Sequence, residues 1–252
     1  MNDADPSPLS AVATPKWSGR RLVGSVVVIA IAFLATQTVG VIALAIVEAL
    51  RDPAFDTAEW IQRGAANGDA LVAATLTSTL ICVPLVIALV GKTQNRWHFL
   101  RIRRTSARTM LVWCGALIAA VIASDLLTLS MGRPIVPDEM VEAFSSAHPI
   151  WLFIALTFFA PLLEELFFRG FLFSGLEAVG VRQWVPVVVT AALWSMLHVQ
   201  YDGYGIVSIF VMGLLLGAAR RSADSTLPCF AMHGTANAIA YVETAYRALT
   251  AA

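Results

Sequence analysis

The chain has 252 residues, 58% of them hydrophobic and 13% charged, with 17 basic and 17 acidic side chains. A soluble domain carries about 25% charged residues, so a water-soluble globule is excluded, and the balanced charge gives no reason to expect nucleic acid as a partner. Cys82, Cys114 and Cys229 lie in or beside apolar segments without CxxC spacing, which argues for small core residues and against a disulfide framework or zinc knuckle.

Residues 1–20, whose first sixteen are rich in Pro, Ser, Asp and Ala, read as a disordered cytoplasmic tail. Lys16, Arg20 and Arg21 then precede an apolar stretch over 22–50. It is longer than the core of about 7–15 residues in a cleaved signal peptide and reads as a first membrane anchor. Further windows near 70–91, 109–131, 149–178, 184–200, 204–219 and 227–247 approach the roughly 20 apolar residues needed to cross a bilayer. The expected fold is an all-α polytopic transmembrane bundle of about seven spans. Gly205, Gly213 and Gly217 in the sixth permit close helix packing and leave its complete crossing open.

The segment 92–108 carries Lys92, Arg96, Arg101, Arg103, Arg104 and Arg108 and no acid, whereas 51–69 and 132–148 carry more acids than bases. The positive-inside rule then places the N-terminus and 92–108 in the cytoplasm, with a bacterial inner membrane as the natural setting. Trp97, Phe99, Leu100 and Ile102 interleave with the arginines, so this loop also fits an interfacial segment. The acidic stretch 132–148, with Pro134 and Pro137, is expected to be the longest irregular connection.

The most informative feature is Glu164-Glu165 within an otherwise oily run, with Arg169 beyond it. An ionisable group at bilayer depth costs at least about 2.5–3.5 kcal/mol and marks a functional site by default. On a regular helix Glu165 and Arg169 are i,i+4 neighbours and favour an ion pair. Glu164 lies about 140° around the helix from Arg169, which leaves it free for chemistry as a general base. Trp194 and His198 share one helix face, as do His233 and Asn237. Counted from the helix ends, Glu164, His198 and Asn237 lie roughly 20 Å deep, with His233 about one turn shallower.

Such a set suits a water shared by Glu164 and His198, with His233 and Asn237 donating to a developing oxyanion. Two alternatives stay open at this point. The polar side chains would hold the helices in register, or Glu and two His would bind zinc, although Asn237 and the lack of HExxH speak against the metal.

In order, Glu164-Glu165-x-x-x-Arg169, Trp194-x-x-x-His198 and His233-x-x-x-Asn237 resemble the CPBP family of intramembrane proteases, which includes the type II CAAX prenyl endopeptidases and bacteriocin-processing and immunity proteins. The resemblance covers about 150–240. It implies N-terminal transmembrane helices and loops over 21–148 and a catalytic core over 149–247. It also implies peptide hydrolysis in which Glu164 and His198 activate water, His233 and Asn237 stabilise the oxyanion, and Glu165, Arg169 and Trp194 organise the site, with no metal required. One position departs from the family pattern, because the second motif usually begins with Phe and here begins with Trp194.

Other intramembrane chemistries lack their signatures: no GxGD, no HExxH, and no GxSG around Ser174. Ser195, three residues before His198, is expected to bond its own helix rather than to act as nucleophile. The expected partners are the lipid bilayer and a membrane-associated peptide or protein, lipidated or not. The alternatives are a non-catalytic immunity or scaffold protein of the same fold, and a transporter using the buried groups as a proton relay.

Overall fold

The computed structural model describes residues 17–58, 60, 67–91 and 95–250. Among these are nine helices and no strand: α1 (Gly19–Arg51), α2 (Gly68–Val90), α3 (Arg96–Phe99), α4 (Ala107–Ser130), α5 (Asp138–Ser145), α6 (Pro149–Ala178), α7 (Val185–Met196), α8 (Gly203–Ala223) and α9 (Leu227–Thr250). The seven long ones stand where the apolar windows fall, and the chain is an all-α polytopic bundle. Side chains start several of them: Ser18, Asn67, Ser106 and Asp202 each accept a backbone N–H from the first turn of α1, α2, α4 and α8, supplying partners to donors that a helix start leaves bare.

Five helices, α1, α2, α4, α6 and α8, are long and apolar enough to cross a membrane. The Gly-rich α8 is one of them, at 21 residues. Helix α7 has 12 residues, about 18 Å at 1.5 Å per residue, and is shorter than a hydrocarbon core of about 30 Å. Helix α9 has 24 residues but carries His233, Asn237 and Glu243 and is not among the five. Leu111, Val112, Ile122 and Leu126 on α4 and Val23, Ile31 and Leu34 on α1 are exposed, the surface expected where lipid replaces protein as neighbour.

The contacts at the two ends show that the helices alternate in direction. At one end the start of α1 meets the end of α2, where Arg21 Nη2 donates to the Leu89 and Val90 carbonyls. The segment after α3 also joins here: Thr226 donates to the Arg101 and Leu100 carbonyls and Ser225 to that of Arg103. Arg101 and Arg103 pair with Asp224. Trp17 stacks on Phe99 at 5.0 Å and meets Phe171 edge-on at 5.4 Å. The basic loop is thus a clasp on the second half of the chain, and Leu100 within it is fully buried. Of the tail assigned to 1–20, residues 1–16 lie outside the described residues, while Trp17 is buried and α1 begins at Gly19.

At the other end the stretch 132–148 is more ordered than its prolines and acids suggest. It contains α5, which Asp138 and Glu139 favour by sitting in the positive first turn. This helix covers the start of α2, where Ser146 Oγ accepts the Gly68 amide. Arg247 of α9 bonds Asp138 and the Val136 carbonyl. Asp202, outside the apolar span, has its carboxyl held below the usual carboxylate range by the Gly205 amide and Arg133.

Helices α7 and α8 pack closely because α8 presents glycines to α7. A Cβ on Gly213 would stand 3.0 Å from Ala191 Cα and 3.2 Å from the Trp194 ring, and one on Gly217 would stand 2.9 Å from Val187. Gly213→Leu is expected to force the two helices apart and to lower stability by about 1–3 kcal/mol, the usual cost of overpacking. A thermal unfolding midpoint equal to that of wild type would contradict this packing.

Candidate active site

The site is built on α6, which is not a regular α-helix. Two π-helical turns, Ala155–Phe159 and Leu166–Leu172, flank a short α segment, Ala160–Glu165, that carries both glutamates. Such turns concentrate at functional sites, and the first has a local cause. Pro161 has no N–H and its ring crowds the carbonyl four residues earlier, so one helical bond is missing and the regular α ladder is interrupted here.

Neighbouring helices use the carbonyls that the wide turns open. Asn237 Nδ2 on α9 donates to the Leu156 carbonyl at 2.8 Å, and Thr79 of α2 donates to the Phe159 carbonyl at 3.1 Å. A Cβ on Gly234 would stand only 2.8 Å from the Thr157 carbonyl oxygen. Glycine at this position therefore lets α9 approach between His233 and Asn237. At the second wide turn Arg220 Nε donates to the Arg169 carbonyl at 2.8 Å. Gly234→Ala is expected to push α9 off α6 and displace both polar groups. The check is a thermal unfolding midpoint below that of wild type, since overpacking costs about 1–3 kcal/mol.

Glu165 and Arg169 form the expected pair, with Nη1 to Oε1 at 2.9 Å and side chains 1% and 0% exposed. His233 Nδ1 reaches the same Oε1 at 2.9 Å, a partner that the sequence does not announce. Arg169 Nη2 also donates to the Gly213 carbonyl at 3.3 Å. Glu165 Oε2 and Arg169 Nε are buried with no hydrogen-bond partner among the described residues. Unspent polar capacity of this kind in a folded core calls for a functional explanation.

Glu164 is half-buried and takes a different partner: Trp194 Nε1 donates to its Oε2 at 2.5 Å. His198 lies two residues past the end of α7, and its Nδ1 sits 2.8 Å from the Trp194 carbonyl. A carbonyl only accepts, so Nδ1 carries a proton, and the lone pair of the neutral tautomer is the one on Nε2. The rings of His198 and His233 contact the Trp194 indole edge-on at 5.0 and 5.1 Å, and the Arg169 guanidinium stands over it at 4.8 Å. Trp194 thus gathers Glu164, Arg169, His198 and His233 around one buried indole. Asn237, one turn past His233 on α9, instead bonds the Leu156 carbonyl on the first π turn, about two turns along α6 from Glu164.

Ser195 donates to the Ala192 carbonyl of its own helix, the local bond expected of it. Arg220 is not among the residues singled out from the sequence. It is 1% exposed and also bonds Ser174 Oγ. Its spacing was the available signal, because Gly213, Gly217 and Arg220 share one helix face at steps of four and three. Among the described residues no group of three or more His, Cys, Asp or Glu is placed to hold a metal.

An all-helical bundle with five membrane-length apolar helices and a buried cluster of carboxylates, imidazoles and a guanidinium is a multi-pass membrane protein with a polar site inside its helical core. Residues 146–239 match the family model described as Rce1-like, type II CAAX prenyl endopeptidase Rce1-like. That stretch, which holds all three polar motifs, is therefore similar to the CAAX-type intramembrane proteases of that family. Comparison with curated proteins and with solved structures gave no match.

Proposed function

We propose that the chain is an intramembrane endopeptidase in which Glu164 and His198 activate water and His233 and Asn237 receive the oxyanion, with residues 149–247 as the catalytic core. The observation that carries this reading is the meeting of Glu164, His198 and His233, from three separate segments, on the one Trp194 side chain. Glu164 Oε1 and His198 Nε2 are the basic atoms left after the bonds to Trp194, and either suits the proton of an attacking water. The water oxygen adds to the scissile carbonyl, the oxyanion forms, and the C–N bond breaks as the stored proton passes to the leaving amine.

Asn237 uses one amide hydrogen on Leu156 and has a second for the oxyanion. With Nδ1–H given to Glu165, His233 Nε2 donates only from the imidazolium. Glu165 and Arg169 hold the arrangement in place and take no part in bond making.

The mechanism routes no step through a metal. The substrate is a membrane-associated peptide or protein, lipidated or not, and the basic end formed by α1, the 95–106 segment and the α8–α9 link faces the cytoplasm. The test is cleavage of a mixed library of lipidated and unlipidated peptides by purified wild type and His198→Ala, with and without a chelator. Cleavage by wild type alone, unaffected by chelator, is the expected result. Equal cleavage by both proteins would reject the role of His198, and loss with chelator would restore a zinc mechanism.

A further inference from the structure

We infer that Trp194 is a positioning residue for Glu164, acting through its indole N–H and linking the Arg169 charge to the Glu164 carboxylate across the ring. The inference rests on the proposed role of Glu164 as the water-activating base and adds the device that aims it. Glu164 needs one. Its neighbour Glu165 is held by Arg169 and His233, both at 2.9 Å, whereas the bond that ties Glu164 to another helix is the one from Trp194 Nε1 at 2.5 Å. A carboxylate on a side chain with three rotatable bonds, held at one oxygen, has its second oxygen directed.

The indole itself cannot turn. Trp194 is 1% exposed, Gly213 of α8 closes on one edge of the ring, and the two imidazoles close on it from the segment after α7 and from α9. The Arg169 guanidinium over the ring at 4.8 Å draws on the negative π face and leaves the N–H edge more positive, which strengthens the bond to a carboxylate. Arg169 thus serves both glutamates, Glu165 directly and Glu164 through the indole. Trp194 also fixes His198, because the Trp194 carbonyl accepts Nδ1–H. Both basic atoms of the proposed water site are therefore referred to one side chain, Glu164 by the indole and His198 by the backbone.

The bond is tested without reference to activity by labelling the indole nitrogens with ¹⁵N in detergent-solubilised protein. The Trp194 N–H resonance, identified by its absence from Trp194→Phe, is expected to move in Glu164→Gln by more than any other indole resonance. An unmoved resonance would overturn the inference. Its kinetic meaning is tested by placing β-(3-benzothienyl)alanine at position 194, which keeps the shape of the side chain and replaces N–H by sulfur. An internally quenched peptide, in farnesylated and unmodified forms, serves as substrate.

A fall in kcat of about 10- to 100-fold with little change in KM is expected, the scale on which a misdirected catalytic group acts, while the thermal midpoint stays near that of wild type. Full kcat in the isostere, alongside an inactive Glu164→Gln, would sink the positioning role and leave the role of Glu164 standing. Full kcat in Glu164→Gln would remove the base itself and the inference with it.

Discussion

Glu164→Gln is expected to lower kcat/KM for peptide cleavage by about 10²–10⁴-fold, the range over which a positioned general base contributes. That corresponds to about 3–5 kcal/mol of transition-state stabilisation. The substitution keeps the size of the side chain and an oxygen that still accepts the Trp194 N–H, so the bundle is expected to unfold at close to the wild-type temperature. What is lost is the basic oxygen that would take the proton of water. Because the contacts to the rest of the substrate are untouched, the fall should lie in kcat, with KM little changed. The measurement is initial rate against peptide concentration for both purified proteins; activity within tenfold of wild type would remove Glu164 from the mechanism.

The largest effect on stability is expected at Arg169. Its guanidinium is fully buried, bonds Glu165 and the Gly213 carbonyl, and stands over Trp194. Arg169→Leu leaves a buried carboxylate with only His233 beside it, and removing one partner of a buried pair costs about 3–5 kcal/mol. The double substitution Glu165→Gln with Arg169→Leu removes both charges and should recover part of that loss, since the penalty lies in the uncompensated charge rather than in the absence of the pair. Thermal unfolding of the two variants in the same detergent decides the matter. A double variant no more stable than the single one would show that Arg169 acts chiefly through packing and its bond to Gly213.

The two expectations rest on different degrees of legibility. That Glu165 pairs with Arg169 follows from i,i+4 spacing, and the structure places the two atoms at 2.9 Å. The spacing survives although Arg169 lies in a π turn, because the α segment that carries Glu165 runs directly into it. The π turns themselves are not visible in a helical wheel drawn at 100° per residue. Pro161 was the available sign, yet a proline within a helix yields a kink, a bulge or a break according to what neighbours offer its orphaned carbonyls. Here Asn237 and Thr79 bond carbonyls of that turn and Gly234 admits α9 beside another.

Taken alone, the sequence determined the class of fold and the location of the helices. Hydrophobic length and the positions of Pro, Gly and charge are local properties, and bilayer burial makes each apolar stretch satisfy its own backbone as a helix. A count of residues along regular helices also led to the expectation that Glu164, His198 and Asn237 lie at similar depth, with His233 about one turn shallower. The tertiary structure decided which of them meet. The pairing of His233 with Glu165, of Trp194 with Glu164, of Asn237 with a backbone carbonyl, and of the basic loop with Asp224 depends on how helices rotate and how closely they approach. Those quantities are set by glycines on facing surfaces and by the shape of a single buried indole, and no property of one segment contains them.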